Sequence, residues 1–268
     1  MPEGVSWTLP LYELALMTAT RAREMFVDDL ALTLVTPEVA PLALFGPEVS
    51  AGVYGLLEGA GIAVETSSAA RVEAGHSIVI EARGEPLVCD RVIALPHLRG
   101  RPVAGLPADS LGFLPVDEHG RVHGVEDVFA AGDGTAYAVK QGGLAAQQAD
   151  AVAAEIARRI GLPVTPRPFE PVLRALLTGS RPRYLRRSLS ENGPGEISEQ
   201  PLWWPPTKIA GARLAPYLDA RDAAGGDESV ERSLAAHPSP GVRRRAVLAP
   251  RGEGEQRRVL LPVEQEDA

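Results

Sequence analysis

Apolar residues recur along this chain with two different periods, and the change from one to the other divides it. Leu11, Leu14, Ala15, Ala19, Ala22 and Phe26 fall at helical spacing, which predicts a helix after the Gly/Pro-containing loop 1–10. "LALTLV", Leu30 to Val35, is an apolar run of strand length that stops at Thr36-Pro37-Glu38. Pro47 at a helix-start position, with Gly59 and Gly61 at the end, brackets a second helix over Pro47 to Glu58. "IAVET", Ile62 to Thr66, is the next strand. Helix, strand, helix, strand in that order implies a parallel sheet covered on both faces. Beyond it the pattern shortens. "AARVEA", "SIVIEA" and "PLVCDRVIAL" read as strands separated by Gly75 and Gly84 with no helix between them. An antiparallel meander is expected there, ending in a last strand Arg91 to Leu95.

Residues 96–115 are rich in Pro and Gly and read as a crossover, and "VDEHGRV" is a polar turn. A strand follows at Val128 to Ala131, then a long alanine-rich helix from about Gln141 to Ile160. Pro163, Pro166, Pro168 and Pro171 mark a linker, and "PVLRALLTGSRPRYLRRSL" reads as a hairpin. "GPGEIS", 193–198, follows no predicted strand and reads as a surface turn, and the second part of "LWWPPTKIAGARLAPYLDA" is expected to be helical. From Arg221 the chain turns charged and Gly/Pro-rich, with Arg243-Arg244-Arg245 and an acidic finish. A mobile tail with one short helix at 227–236 is expected. The fold class is therefore α/β, in four stretches: 1–95, 96–162, 163–220 and 221–268.

Composition narrows the functions open to such a fold. With 268 residues, 45% of them hydrophobic and only 5% aromatic, aliphatic side chains and Ala must build the core. A formal net charge of −8 argues against nucleic acid as the partner. Cys89 is the single cysteine, which excludes an internal disulfide or a CxxC pair and fits a cytoplasmic location. No run of 18 apolar residues and no signal peptide is present, so no membrane span is expected.

Candidate chemistry concentrates in "VFAAGDGTAYAVKQGG", Val128 to Gly143. A buried strand ending in Gly132-Asp133 puts a carboxylate at the carboxyl edge of a sheet, where α/β folds bind ligands. Glycine lets a ligand lie against the backbone, and Asp133 can accept hydrogen bonds from ligand hydroxyls. The alternative is an Asp that only caps a turn or helix. Lys140, Gln141, Gly142 and Gly143 open the following helix, whose free N–H groups and dipole suit an anion or an electron-rich ring.

This stretch, with the alanine-rich helix after it, resembles the second flavin-binding motif of the FAD-dependent pyridine nucleotide–disulfide oxidoreductase superfamily. The similar branch is that of type II NADH:quinone and sulfide:quinone oxidoreductases. The resemblance implies a flavoprotein fold of two Rossmann-like dinucleotide-binding domains, incomplete here, with the meander and a small carboxyl-terminal region. On it, 1–95 is the nicotinamide-nucleotide-domain-like unit, 96–162 the return to the FAD domain and 163–220 the carboxyl-terminal hairpin and helix. It implies that Asp133 holds the flavin ribityl chain, that Gly132 allows close approach near the pyrophosphate, and that Lys140 to Gly143 lie by the isoalloxazine ring. Glu13 matches a family acid near the interface of the two rings, its alternative being a helix-surface carboxylate. The implied activity is electron transfer through FAD, with NAD(P)H a candidate donor and a quinone a candidate acceptor. No residue is assigned a catalytic role. The rival is a non-catalytic interaction module that kept the fold and lost the cofactor.

Two departures bear on this. The family's opening strand and Gly-x-Gly-x-x-Gly turn are missing, so the chain is expected to start in the middle of that architecture. Self-association, or pairing with the missing amino-terminal half, is expected in consequence. Where the nicotinamide domain should carry its own glycine turn, this chain has "EGVSWTLPLYELA", with Trp7, Leu9 and Pro10 where a dinucleotide needs bare backbone. Glu38, at the end of the second element, could accept ribose hydroxyls or serve as a solvated turn residue. Cys89 reads as a packed core thiol, and the five histidines show no zinc spacing, with His119 and His123 expected to be exposed around a turn. Arg181, Arg183, Arg186 and Arg187 around Tyr184 read as a solvated hairpin edge rather than an anion or quinone site. Trp203-Trp204 is expected to anchor a core edge.

Overall fold

The structure, a computed structural model, describes residues 5–73, 77–80, 83, 86–191, 193–209, 211–213, 216, 220 and 221. Helix α1 spans Leu9–Glu24, and its apolar stripe buries Tyr12, Leu16 and Ala19. Strand β1, Leu32–Val35, runs parallel to β2, Ile62–Glu65, in the register Leu32↔Ile62 to Val35↔Glu65. Helix α2, Pro47–Gly59, makes the crossover between them and buries Val49, Val53 and Leu57. The helix-strand alternation expected from the spacing is thus present, with β1 beginning two residues later than the apolar run.

Strands β3 (Ala70–Val72), β4 (Ser77–Ile80) and β5 (Pro86–Val88) form the antiparallel meander. Its small core of Val35, Ile78 and Ile80 has half-buried Cys89 packed against it, as a core thiol would be. Helix α3 spans Gly142–Arg159. A second antiparallel sheet of β6 (Val172–Leu177), β7 (Arg183–Ser188) and β8 (Glu196–Ser198) follows. In β6 the alternate residues Leu173, Ala175 and Leu177 are buried, the two-residue period of a sheet with one covered face. That face joins α1, α2 and Leu144 of α3 in one hydrophobic cluster. Each fully buried Leu or Val there contributes about 1.5–3 kcal/mol.

Three expectations need correction. Arg91 to Leu95 carries no strand, and Ile93 is 49% exposed. Val128 to Ala131 is not a continuous strand either. Phe129 makes one isolated antiparallel bridge with Arg121, through Val122 N–H to Val128 O (2.9 Å) and Ala130 N–H to Gly120 O (2.8 Å). Among the described residues, the N–H and C=O of Phe129 and Ala131 on the other edge have no partner. An apolar run becomes a strand only where neighbouring chain supplies a continuous ladder; among the described residues 91–95 has no such ladder and 128–131 has only the one bridge. Third, "GPGEIS" is not only a turn. Glu196–Ser198 is β8, pairing with Tyr184 to Arg186. Gly195 lets the chain enter that register, because a Cβ there would lie 1.8 Å from the Phe45 carbonyl oxygen. The helix expected in the second part of 202–220 falls largely outside the described residues, as does the tail from 222 onward with its arginine run.

Candidate functional site

The long helix α3 organises this region, and glutamine side chains hold its start. Gln141 caps it: its Oε1 accepts from Leu144 N–H at 2.8 Å, and its Nε2 donates to the Arg174 carbonyl of β6 at 2.9 Å. A Cβ at position 143 would lie 3.0 Å from that cap oxygen, so Gly143 keeps the cap in place. Gln147 pairs with the backbone of Val172, donating to its carbonyl at 2.9 Å and accepting its N–H at 3.0 Å. Gln148, the next residue, accepts the Gly132 N–H at 2.6 Å. Gln147 and Gln148 escaped sequence reasoning, although two adjacent amides in an otherwise alanine-rich helix were the signal available.

Gly132 takes φ +84°, in the left-handed region that glycine favours. Its carbonyl accepts from the Thr135 N–H (3.0 Å) and hydroxyl (2.9 Å), closing a tight turn. Asp133 stands exposed at the apex, and among the described residues no donor meets its carboxylate. Lys140 does not face outward beside it. Its side chain is buried, with the ammonium donating to the Thr135 carbonyl and lying 3.7 Å from the centre of the Phe113 ring. Burial pushes its pKa down, while the negative charges of Asp133 and Asp109 act in the opposite sense. Gly142, the first residue of α3, is exposed. Gly132, Asp133, Lys140, Gln141, Gly142 and Gly143 are therefore brought together, with Lys140 and Gln141 used as internal braces.

Glu13 reaches this group through the carboxyl-terminal segment. Its Oε1 accepts from the Thr178 N–H at 3.0 Å, the Thr178 hydroxyl and the Lys208 ammonium at 2.6 Å. Burial would raise its pKa, but the Lys208 and Thr178 donors prevail and hold it below the usual carboxylate value. Glu38 is engaged elsewhere. Oε2 accepts from the Tyr12 hydroxyl (2.7 Å) and Thr36 (3.1 Å), and Oε1 from Thr8 (3.4 Å). Tyr12 is fully buried, and burial followed by the Glu38 charge keeps its phenol protonated far above the usual range. Trp7 packs on Phe45 with ring centres 5.9 Å apart, so the start of α1 is filled by side chains.

The remaining candidates resolve as structural. Arg183 pairs with Glu199, Arg186 with Glu196, and Arg187 donates to the Gly193 and Leu44 carbonyls. Trp203 stacks edge-on to Tyr184, whereas Trp204 is 84% exposed and anchors no core edge. His123 is exposed, but His119 is half-buried with its Nδ1 shielded, because the turn at 117–121 folds back on itself through Asp117. Among the described residues no group of three or more His, Cys, Asp or Glu could hold a metal ion. No described helix is long and apolar enough to cross a membrane.

A parallel pair with a helical crossover, a meander, and a glycine–aspartate turn facing the start of a long helix are parts of a Rossmann-like α/β fold of the flavoprotein kind. The sequence model of the pyridine nucleotide–disulphide oxidoreductase family matches residues 13–153, just over half of the chain, and the chain belongs to that family. In fold it is similar to the sulfide:quinone oxidoreductase of Aquifex aeolicus, at a TM-score of 0.61 and 19% identity. That match covers 87% of this chain and 60% of the oxidoreductase, so the chain spans about three-fifths of that protein's length. It is similar also to the HOCl-induced flavoprotein disulfide reductase of Escherichia coli, with a TM-score of 0.50, 13% identity, 69% of this chain and 41% of that one. No curated protein matches the chain in sequence.

Proposed function

We propose that this chain forms the ribityl- and ring-binding part of an FAD-dependent oxidoreductase. One observation carries the reading: Asp133 is held at the apex of a braced glycine turn, exposed and without a protein donor, close to the bare start of α3. A carboxylate left open beside helix N–H groups fits a ligand with hydroxyls at one end and an electron-rich ring at the other. FAD when bound supplies the two-electron chemistry. The chain's own part is to accept the ribityl hydroxyls on Asp133, to set the turn through Gln148, and to place the positive end of α3 against the ring.

The donor is not a nicotinamide nucleotide bound at α1. Trp7 and Phe45 fill the space where a glycine turn would bare the backbone, and Glu38 spends both oxygens on Tyr12, Thr36 and Thr8. A quinone is retained as the acceptor class. The pyrophosphate and adenosine half of the cofactor calls for a further segment, one that pairs with the open edge at Phe129 and Ala131.

That same open edge favours the second reading, an interaction module without cofactor. Titration of the chain with FAD, followed by tryptophan and flavin fluorescence, separates the two. Asp133→Ala should weaken FAD binding about ten- to a hundredfold, the loss of one charge-assisted hydrogen bond of roughly 1.5–3 kcal/mol. Equal affinities in the two proteins would reject Asp133 as a ligand, and no saturable binding by the unaltered chain would favour the interaction module.

A further inference from the structure

Residues 207–209 and 211–213 make contacts with α1 and α3. Trp203 Nε1 donates to the Thr207 carbonyl at 2.9 Å, and the Thr207 hydroxyl donates to the Ile209 carbonyl at 2.7 Å, shaping the segment's entry. Lys208 Nζ then pairs with Glu13 of α1 at 2.6 Å. On α3 the segment meets three residues spaced four apart on one helix face: Gly142, Ala146 and Asp150. Ile209 lies over Gly142, its Cγ1 3.7 Å from where a Cβ would stand. Gly211 sits so close to Ala146 that a Cβ on it would come within 2.8 Å of the Ala146 Cβ. Asp150 closes the seat, its Oδ2 accepting the Ala212 N–H at 2.6 Å and its Oδ1 lying 3.3 Å from the Arg213 N–H.

We propose that this segment is a wall of the ring site, and that Asp150 and Gly211 are the positioning residues that hold it there. The inference rests on the flavin reading given above and adds to it what borders the ring. The start of α3 is the element proposed to face the ring, and Ile209 and Lys208 are the side chains the seat brings to it. Ile209 supplies an apolar surface against which a planar ring can lie. Lys208 supplies a cation beside Glu13, at the end of α3 where the helix dipole is already positive. Among the described residues Asp150 hydrogen-bonds only to backbone N–H groups, and the atoms nearest a Cβ on Gly211 belong to α3. Neither would meet the ligand, so any effect they have on it must pass through the segment.

Asp150→Ala removes both acceptors, Asp150→Asn keeps one oxygen, and Gly211→Val puts a branched side chain where no Cβ fits. Hydrogen exchange of 207–213 and FAD affinity, by titration to millimolar concentration, are read on the same full-length proteins. In Asp150→Ala and Gly211→Val, exchange in 207–213 should accelerate while the interior of α3 stays protected. FAD should bind about tenfold more weakly, and Asp150→Asn should fall between these and the unaltered chain. FAD should also slow exchange in 207–213 of the unaltered chain. Accelerated exchange with unchanged FAD affinity would show a segment that borders no ligand and would overturn the wall. Unchanged exchange would overturn the anchoring role of Asp150 and Gly211. If the unaltered chain binds no FAD at any concentration, the flavin reading fails and the wall fails with it, whereas the exchange data still report the seat.

Discussion

Gln148 tests how the Gly132 turn is held. Its Oε1 accepts the Gly132 N–H at 2.6 Å and lies 3.5 Å from the Thr135 hydroxyl, and the residue is only 7% exposed. Gln148→Leu keeps the side chain's bulk and leaves the Gly132 N–H without an acceptor in a space that water enters poorly. An unmet buried donor costs about 1–3 kcal/mol. The Thr135 contact adds little, because that hydroxyl still donates to the Gly132 carbonyl at 2.9 Å. For a chain of this size each kcal/mol lowers Tm by about 2–4 °C. Exchange of the Gly132 amide through local opening should quicken by roughly 5- to 150-fold. Calorimetry and amide-exchange NMR measure the two effects on one sample. Gln148→Glu leaves an oxygen in the same place and should preserve most of the Gly132 protection. A Leu variant with unchanged Tm and a Gly132 amide as slow as before would refute the claim that Gln148 sets the turn.

Other outcomes follow from the same contacts. In anaerobic stopped-flow mixing, neither NADH nor NADPH should bleach the oxidised flavin band of FAD-loaded protein, and rapid bleaching by either would show the filled start of α1 to be misread. Tyr12→Phe should cost about 1.5–3 kcal/mol in urea unfolding, since it strips Glu38 of its buried donor. The Tyr12 phenol is held above its free value of 10.0. Its contribution is therefore complete below about pH 10 and declines above, where the unfolded chain ionises, and the alkaline limb should flatten in the variant. At the far end of α3, Glu155 accepts from Arg158 at 2.8 Å, from Arg121 and from Arg159; the Arg158 and Arg121 donors, against the opposing effect of burial, depress its carboxyl from 4.5 to about 2. The stability it confers is present above pH 4.5 and lost as pH falls toward 2, so Glu155→Gln should flatten the acid limb between those values.

The helices and the parallel pair were legible because helix-start Pro47 and end-of-helix Gly59 and Gly61 bracket clean apolar periods. The meander was legible because its apolar runs are short and carry no helical period between them. The runs at 91–95 and 128–131 have the composition of buried strands, yet composition cannot say whether a neighbour exists to pair with them. Strand β8 was hidden behind Gly-Pro-Gly: three residues acquire strand character only through the register that β7 offers. At the site, the types and order of Gly132, Asp133, Gln141, Gly142 and Gly143 were enough to single out this loop as the candidate. The direction of a long side chain was not. Lys140 reads as a cation at a helix start, and only packing against Phe113 reveals that it points into the protein. Glu38 reads as an open acceptor, and only the approach of α1 shows its oxygens already taken.

The choice of braces at this site has its own logic. On the proposed reading, a turn that presents Asp133 to a polyol must be rigid, because a loose carboxylate would lose in ordering what it gains in hydrogen bonds. The strongest brace would be a cation on Asp133 itself, but a Lys or Arg there would occupy the very oxygens the ligand needs. The chain uses neutral amides instead. Gln141, Gln147 and Gln148 fix α3 and the Gly132 turn through backbone N–H and C=O groups, leaving the charge on Asp133 unmatched by any contact. The nearby cation, Lys140, is near enough for Asp133 to influence its pKa, yet its ammonium is bound to the Thr135 carbonyl and screened under Phe113. It stabilises the turn from behind without neutralising its apex. Among the described residues Asp133 therefore keeps both oxygens open, the state that the proposed hydroxyl-bearing ligand would require.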